Sequence, residues 1–139
     1  MHRMTMAIYD SLKYQSGLKV FTEKYGNSSY AWLQFVTKNG FEYQIRFISK
    51  DDDNDVAVRV FGLVNVKTSN RGRILQLINK LNGRYRFVKF VLDDDSDVNI
   101  EYDYLNRCPD PVASAEEIVV RIVNLVDETY PELMHAING

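Results

Sequence analysis

Two stretches of the chain carry side chains whose types and spacing could hold a metal. Asp51-Asp52-Asp53-Asn54-Asp55 and Asp93-Asp94-Asp95-Ser96-Asp97 both read D-x-D-x-D, the opening of a calcium loop, in which alternate carboxylates converge on one hard cation. The remainder of that loop is missing. Position six, which needs a glycine for its sharp turn, is Val56 or Val98, and position twelve, which needs a bidentate Glu, is Gly62 or Tyr104. Solvated hairpin turns are the expectation for both. Cys108 follows Arg107, whose charge favours a thiolate, but no histidine lies within the hairpin to act as base. An ordinary loop thiol is expected. His2 and His135 stand at opposite ends with no metal-ligand spacing. No catalytic residue, metal site or cofactor is therefore expected.

Charge is more informative in its order than in its sum. From Lys67 to Leu92 every charge is positive (Lys67, Arg71, Arg73, Lys80, Arg84, Arg86 and Lys89), and from Asp93 to Glu117 only Arg107 interrupts a run of acids. A basic strand beside an acidic one is most simply read as cross-strand pairing, with Arg86 or Lys89 facing Glu101 or Asp103. The sharper alternative is a dipolar surface that docks a partner. The basic run with Tyr85 and Phe87 has the ingredients of a single-stranded nucleic-acid site, but the adjoining acidic hairpin would repel phosphate and the net charge is -2. Neither nucleic acid nor membrane is expected as a partner. One cysteine allows no intrachain disulfide, and the amino terminus has no apolar run long enough for a signal peptide or a span. A cytoplasmic setting is expected.

The elements that must position these residues follow from periodicity. At 139 residues the chain suits a single domain, 1–139, with a core that needs no staples. Residues 4–15 read as a helix on Ala7, Ile8 and Leu12, ended by Ser16-Gly17, and 18–23 as a short edge strand before a turn at Tyr25-Gly26-Asn27-Ser28. Strands at 30–37 and 41–49 flank Lys38-Asn39-Gly40, a strong hairpin signal. In the first, Tyr30, Trp32 and Val36 alternate with Ala31, Leu33 and Phe35, so this strand is expected to be covered on both sides. Residues 55–66 place Val56, Val58, Val60, Val64 and Val66 on one face and Arg59, Phe61 and Leu63 on the other, with Gly62 marking a bulge or twist.

A helix follows on Ile74, Leu75, Leu77, Ile78 and Leu81, capped by Thr68, Ser69 or Asn70 and stopped at Asn82-Gly83. Strands from Arg84 to Leu92 and Val98 to Tyr104 form a second hairpin. Pro109-Asp110-Pro111 separates it from a last helix, which starts at Ser114 with a Ser114/Glu117 capping box and is expected to end or kink near Tyr130 before Pro131. The sum is an α+β domain of order helix-βββ-helix-ββ-helix, a twisted antiparallel sheet packed by helices. The lack of a Gly-rich strand-to-helix turn disfavours a dinucleotide-binding fold.

The stretch Phe61 to Tyr104, a Val-rich strand running into Leu63-Val64-Asn65-Val66, then Ile74-Leu75-Gln76-Leu77-Ile78-Asn79-Lys80-Leu81-Asn82, then Phe87-Val88-Lys89-Phe90 and an acidic hairpin, resembles the YbjN family of bacterial proteins. These are described as sensory transduction regulators and share the fold of type III secretion chaperones. The resemblance is clear over the last eighty residues or so and covers the first sixty by layout only. It brings no catalytic residues; it implies a noncatalytic interaction or regulatory protein that dimerises and binds segments of other proteins.

Excess apolar surface points the same way. Leu33, Phe35, Phe61 and Leu63 are expected on strand faces opposite Trp32, Val36, Val58 and Val60, so the sheet needs cover on two sides. If the last helix does not supply the second cover, a dimer or partner must. These four residues, with Arg84 and Arg86 from the basic run, are the candidate partner-binding residues of a homodimer whose protein partner is unnamed. The alternative is a small-molecule or cation-binding regulator using a helix–sheet pocket or the Asp turns.

Overall fold

A computed structural model describes residues 1–50, 55–104 and 112–138. Helix α1 (Arg3–Asp10) runs on through a wider π turn, Ser11–Gln15, and stops where Gly17 takes a positive φ of 68°. Strands β1 (Phe21–Tyr25), β2 (Ser28–Val36), β3 (Glu42–Ser49) and β4 (Val56–Asn65) precede α2 (Arg71–Arg84), β5 (Lys89–Leu92), β6 (Asp97–Tyr104) and α3 (Ala115–Asn138). All six strands join one antiparallel sheet in the order β1-β2-β3-β4-β6-β5. The fold is α+β, as expected.

The hairpin at Asn39-Gly40 forms because Gly40 adopts φ 88° and Thr37 exchanges backbone bonds with Phe41 and Gly40 across the turn. The strand expected at 18–23 forms slightly later, as β1, and a two-residue Gly26-Asn27 turn joins it to β2. Val56, Val58, Val60 and Val64 along β4, and Val66 just past its end, are all buried. Between Val60 and Val64 the register with β6 slips, and Gly62, at φ 68°, donates its N–H to the buried side chain of Asn99. That bulge carries Leu63 into the core although strict alternation would have turned it outward.

Three expectations are corrected. Among the described residues β2 is not covered on both sides: α1 packs on β1, β2 and β3, α3 lies over β4, and β2 buries Ala31 and Leu33 while Tyr30 and Trp32 on its other face stay partly open. Helix α2 does not stop at Asn82-Gly83. It continues to Arg84 and ends where Tyr85 turns extended, because the Asn82 side chain is engaged elsewhere: its amide donates to the Phe90 carbonyl (3.1 Å) and its oxygen accepts the Phe90 N–H (2.6 Å). β5 accordingly begins only at Lys89.

Pro131, finally, does not end α3: it lies inside the helix, which continues to Asn138. Leu125, Val126 and Thr129 before the proline and Leu133 after it are buried, and this packing outweighs one missing amide. α2 buries Ile74, Ile78 and Leu81 but leaves Leu75 exposed and Leu77 half-buried. Asn70, at the cap position, donates to the Ile137 carbonyl (2.7 Å) and accepts from Arg73 (2.8 Å), tying the start of α2 to the end of α3.

Candidate functional site

Two surfaces stand out. The first is the face of the sheet turned away from the helices. Cross-strand pairing sets Phe21, Trp32, Arg46, Arg59, Glu101 and Lys89 side by side in one row that crosses all six strands. One end of the row is aromatic: Phe21 stacks on Trp32 with ring centres 4.6 Å apart. In the middle the Arg46 guanidinium lies 4.9 Å from the Tyr30 ring centre and 5.5 Å from that of Phe61, held by an Nε bond to Gln44 (3.1 Å). Toward the other end Arg59 pairs with Glu101 and Asp103. Aromatic rings around an arginine are the composition of interface centres, since both give large contact area and polar handles.

The second surface is a groove of about 490 Å³ between α2 and α3. Leu77, Pro131 and Ala136 supply apolar lining, and Arg73, Lys80 and His135 stand beside it. The acid in its wall, Glu132, receives two bonds from the Arg84 guanidinium, at 2.9 and 3.3 Å. α2 itself bears Arg71, Arg73, Lys80 and Arg84 and no acidic residue.

The six candidate partner residues do not share one surface. Leu33 and Leu63 are core residues, 1% and 2% exposed, so they present nothing to a partner in this arrangement. Phe35 is half-buried on the helix-covered side and tilts against Tyr43. Phe61, 48% exposed, reaches the open face. Arg84 is tied to Glu132 beside the groove, and Arg86 is exposed just past α2. Periodicity missed Phe21, Trp32 and Arg46 as neighbours because it cannot say how one strand registers on the next. Pairing puts Trp32 on the side of Arg59, whereas Val58 and Val60 face the helices. The expected pairing of basic with acidic strands is present in register, with Lys89 opposite Glu101, but the ion pairs to Glu101 and Asp103 come from Arg59 on β4.

Asp93, from the second acidic run, is held in a structural role. Asp93 accepts the N–H groups of Asp95 (2.9 Å) and Asp97 (3.0 Å) and the Asn99 amide (2.7 Å). These bonds, first that from Asp97 and then that from Asn99, hold its pKa below the ordinary carboxylate value. Its oxygens thus close the turn. Burial, aided by the Asp127 carboxylate, pushes the Tyr43 phenol far up, which keeps it un-ionised and unfit as a base. His2 bonds the Asn27 carbonyl, and His135 lies at the groove on α3. Among the described residues no group of three or more His, Cys, Asp or Glu side chains could hold a metal ion. The first Asp run, 51–54, and Cys108 lie outside the described residues.

A six-stranded antiparallel sheet packed by α1, α2 and α3 agrees with what similarity shows. The family model described as TY-Chap1, the T3SS (YopN, CesT) and YbjN peptide-binding chaperone 1, matches residues 41–139. The chain belongs to this family. No curated protein and no solved structure matches it. The TY-Chap1 match begins at the turn into β3, so the groove lies wholly inside it, whereas Phe21, Tyr30 and Trp32 precede it. Among the described residues no helix is long and apolar enough to cross a membrane.

Proposed function

We propose that this TY-Chap1 protein is a noncatalytic chaperone-type domain that binds segments of other proteins and works as a homodimer. The observation that carries this reading is the sheet face away from the helices, where Tyr30 and Phe61 flank Arg46 and the stacked Phe21 and Trp32 extend the same row. A monomer gains nothing by holding such a patch in water, and burying it against a second copy would remove apolar area at roughly 25 cal/mol per Å². Membership of a family described as peptide-binding supports the other half. The lone Cys108 supports a reducing, cytoplasmic setting. Sedimentation velocity over a wide concentration range tests the dimer: the native chain should sediment as a dimer and Phe61→Asp should shift it to monomer with unchanged circular dichroism. A native chain that is monomeric throughout would refute the homodimer.

A further inference from the structure

The groove between α2 and α3 differs from the open face in shape and in charge. Its floor is aliphatic, from Leu77, Pro131 and Ala136, and its volume of about 490 Å³ suits a few side chains of a short segment. Its rim is basic. Arg73 and Lys80, two turns apart on α2, flank Leu77, and His135 stands on α3. The rim acid, Glu132, is already neutralised by Arg84. The basic character is local, since the whole chain carries a net charge of -2. A segment entering here must offer apolar anchors to the floor and negative charge to the rim, because a basic segment would meet Arg73 and Lys80 head on.

We infer that the α2/α3 groove is the peptide site, and that its occupant is an acidic amphipathic segment of another protein. This rests on the peptide-binding reading above and adds where the segment sits and what chemistry selects it. The charges steer and select, and the aliphatic floor holds.

Fluorescence anisotropy with two labelled peptides tests it: one with leucines at helical spacing separated by glutamates, the other with lysines in place of the glutamates. The acidic peptide should bind and weaken as salt rises, and the basic one should not. Lys80→Glu should weaken the acidic peptide about tenfold and admit the basic one, since about 1.4 kcal/mol corresponds to tenfold. Leu77→Asp should abolish binding, and Tyr14→Ser, at an exposed position after α1 that does not line the groove, should leave it unchanged. Thermal unfolding of each variant identifies any that lose the fold, and the salt-exposed Lys80→Glu keeps the test open if Leu77→Asp does so. Equal binding of both peptides, or acidic binding indifferent to Lys80→Glu, overturns the groove assignment while peptide binding survives. So does an oligonucleotide that displaces the acidic peptide, or a Leu77→Asp chain that turns monomeric, which would make the groove a contact between copies. Binding of neither peptide, together with no retention of any member of a random peptide library, overturns both readings.

Discussion

Asp93 shows how a residue type that suggests metal binding can be consumed by a turn. Its carboxylate takes two backbone N–H groups and the Asn99 amide, and Asn99 in turn accepts the Gly62 N–H, so turn and bulge are wired through one buried amide. Ser96, at φ 64°, completes the turn. Because these bonds favour the charged form, the native pKa lies below the unfolded one and the native state binds fewer protons. The stabilisation is therefore present above the unfolded value, near 3.8, and is lost as pH falls through the lower native pKa. Denaturant unfolding followed from pH 7 to pH 2 should show Asp93→Asn less stable than the native chain at neutral pH, with the gap narrowing below about pH 4. A gap that stays constant with pH would contradict the carboxylate's role. The turn itself was legible from Asp93 to Asp97; its partner Asn99 was not, because strict alternation sets Asn99 with Glu101 on the face opposite Ile100, and the Gly62 bulge on the neighbouring strand covers it.

At the scale of elements, the helices depart most from local rules. α3 carries Pro131 in its interior, where proline removes a backbone bond and crowds the previous turn. The helix persists because a buried row from Ile118 to Leu133 fixes it to the sheet and to α2. Pro131→Ala should thus raise stability, by at most about 3 kcal/mol, in thermal or chemical unfolding. A neutral or lower value would mean that α3 is already bent to suit the proline. Sequence periodicity found every helix and the Asn39-Gly40 hairpin, since these depend on neighbours in the chain. It placed the end of α2 wrongly because Asn82 answers to Phe90 on β5, eight residues later, and it placed Leu63 wrongly because the Gly62 bulge breaks the two-residue period.

At the scale of the whole molecule, one buried core runs across the point where the family match begins. Residues 41–139 supply β3 to α3, yet Ile8, Leu12, Ala31 and Leu33 from the first forty residues are fully or almost fully buried in the same core. The Thr5 hydroxyl is bonded to Ser29, and the Ser16 hydroxyl to Glu116 on α3, so the early elements are stitched to each other and to the last helix. A chain truncated to 41–139 should lose its cooperative melting transition and bind a hydrophobic dye. A sharp transition in that fragment would show α1, β1 and β2 to be dispensable. The α+β layering was evident from alternating periods; the faces were not, because whether Trp32 looks toward the helices or away from them depends on pairing between strands.

The two borders of the sheet are unlike. At β5 the Asn82 amide occupies both the N–H and the carbonyl of Phe90, acting as a one-residue counterfeit strand, while β1 at the opposite border is exposed along nearly its whole length. Lateral growth of the ribbon is thereby polar. Two chains meeting at β1 would each turn a plugged margin outward, so a fused ribbon would halt at a pair instead of lengthening into a fibre.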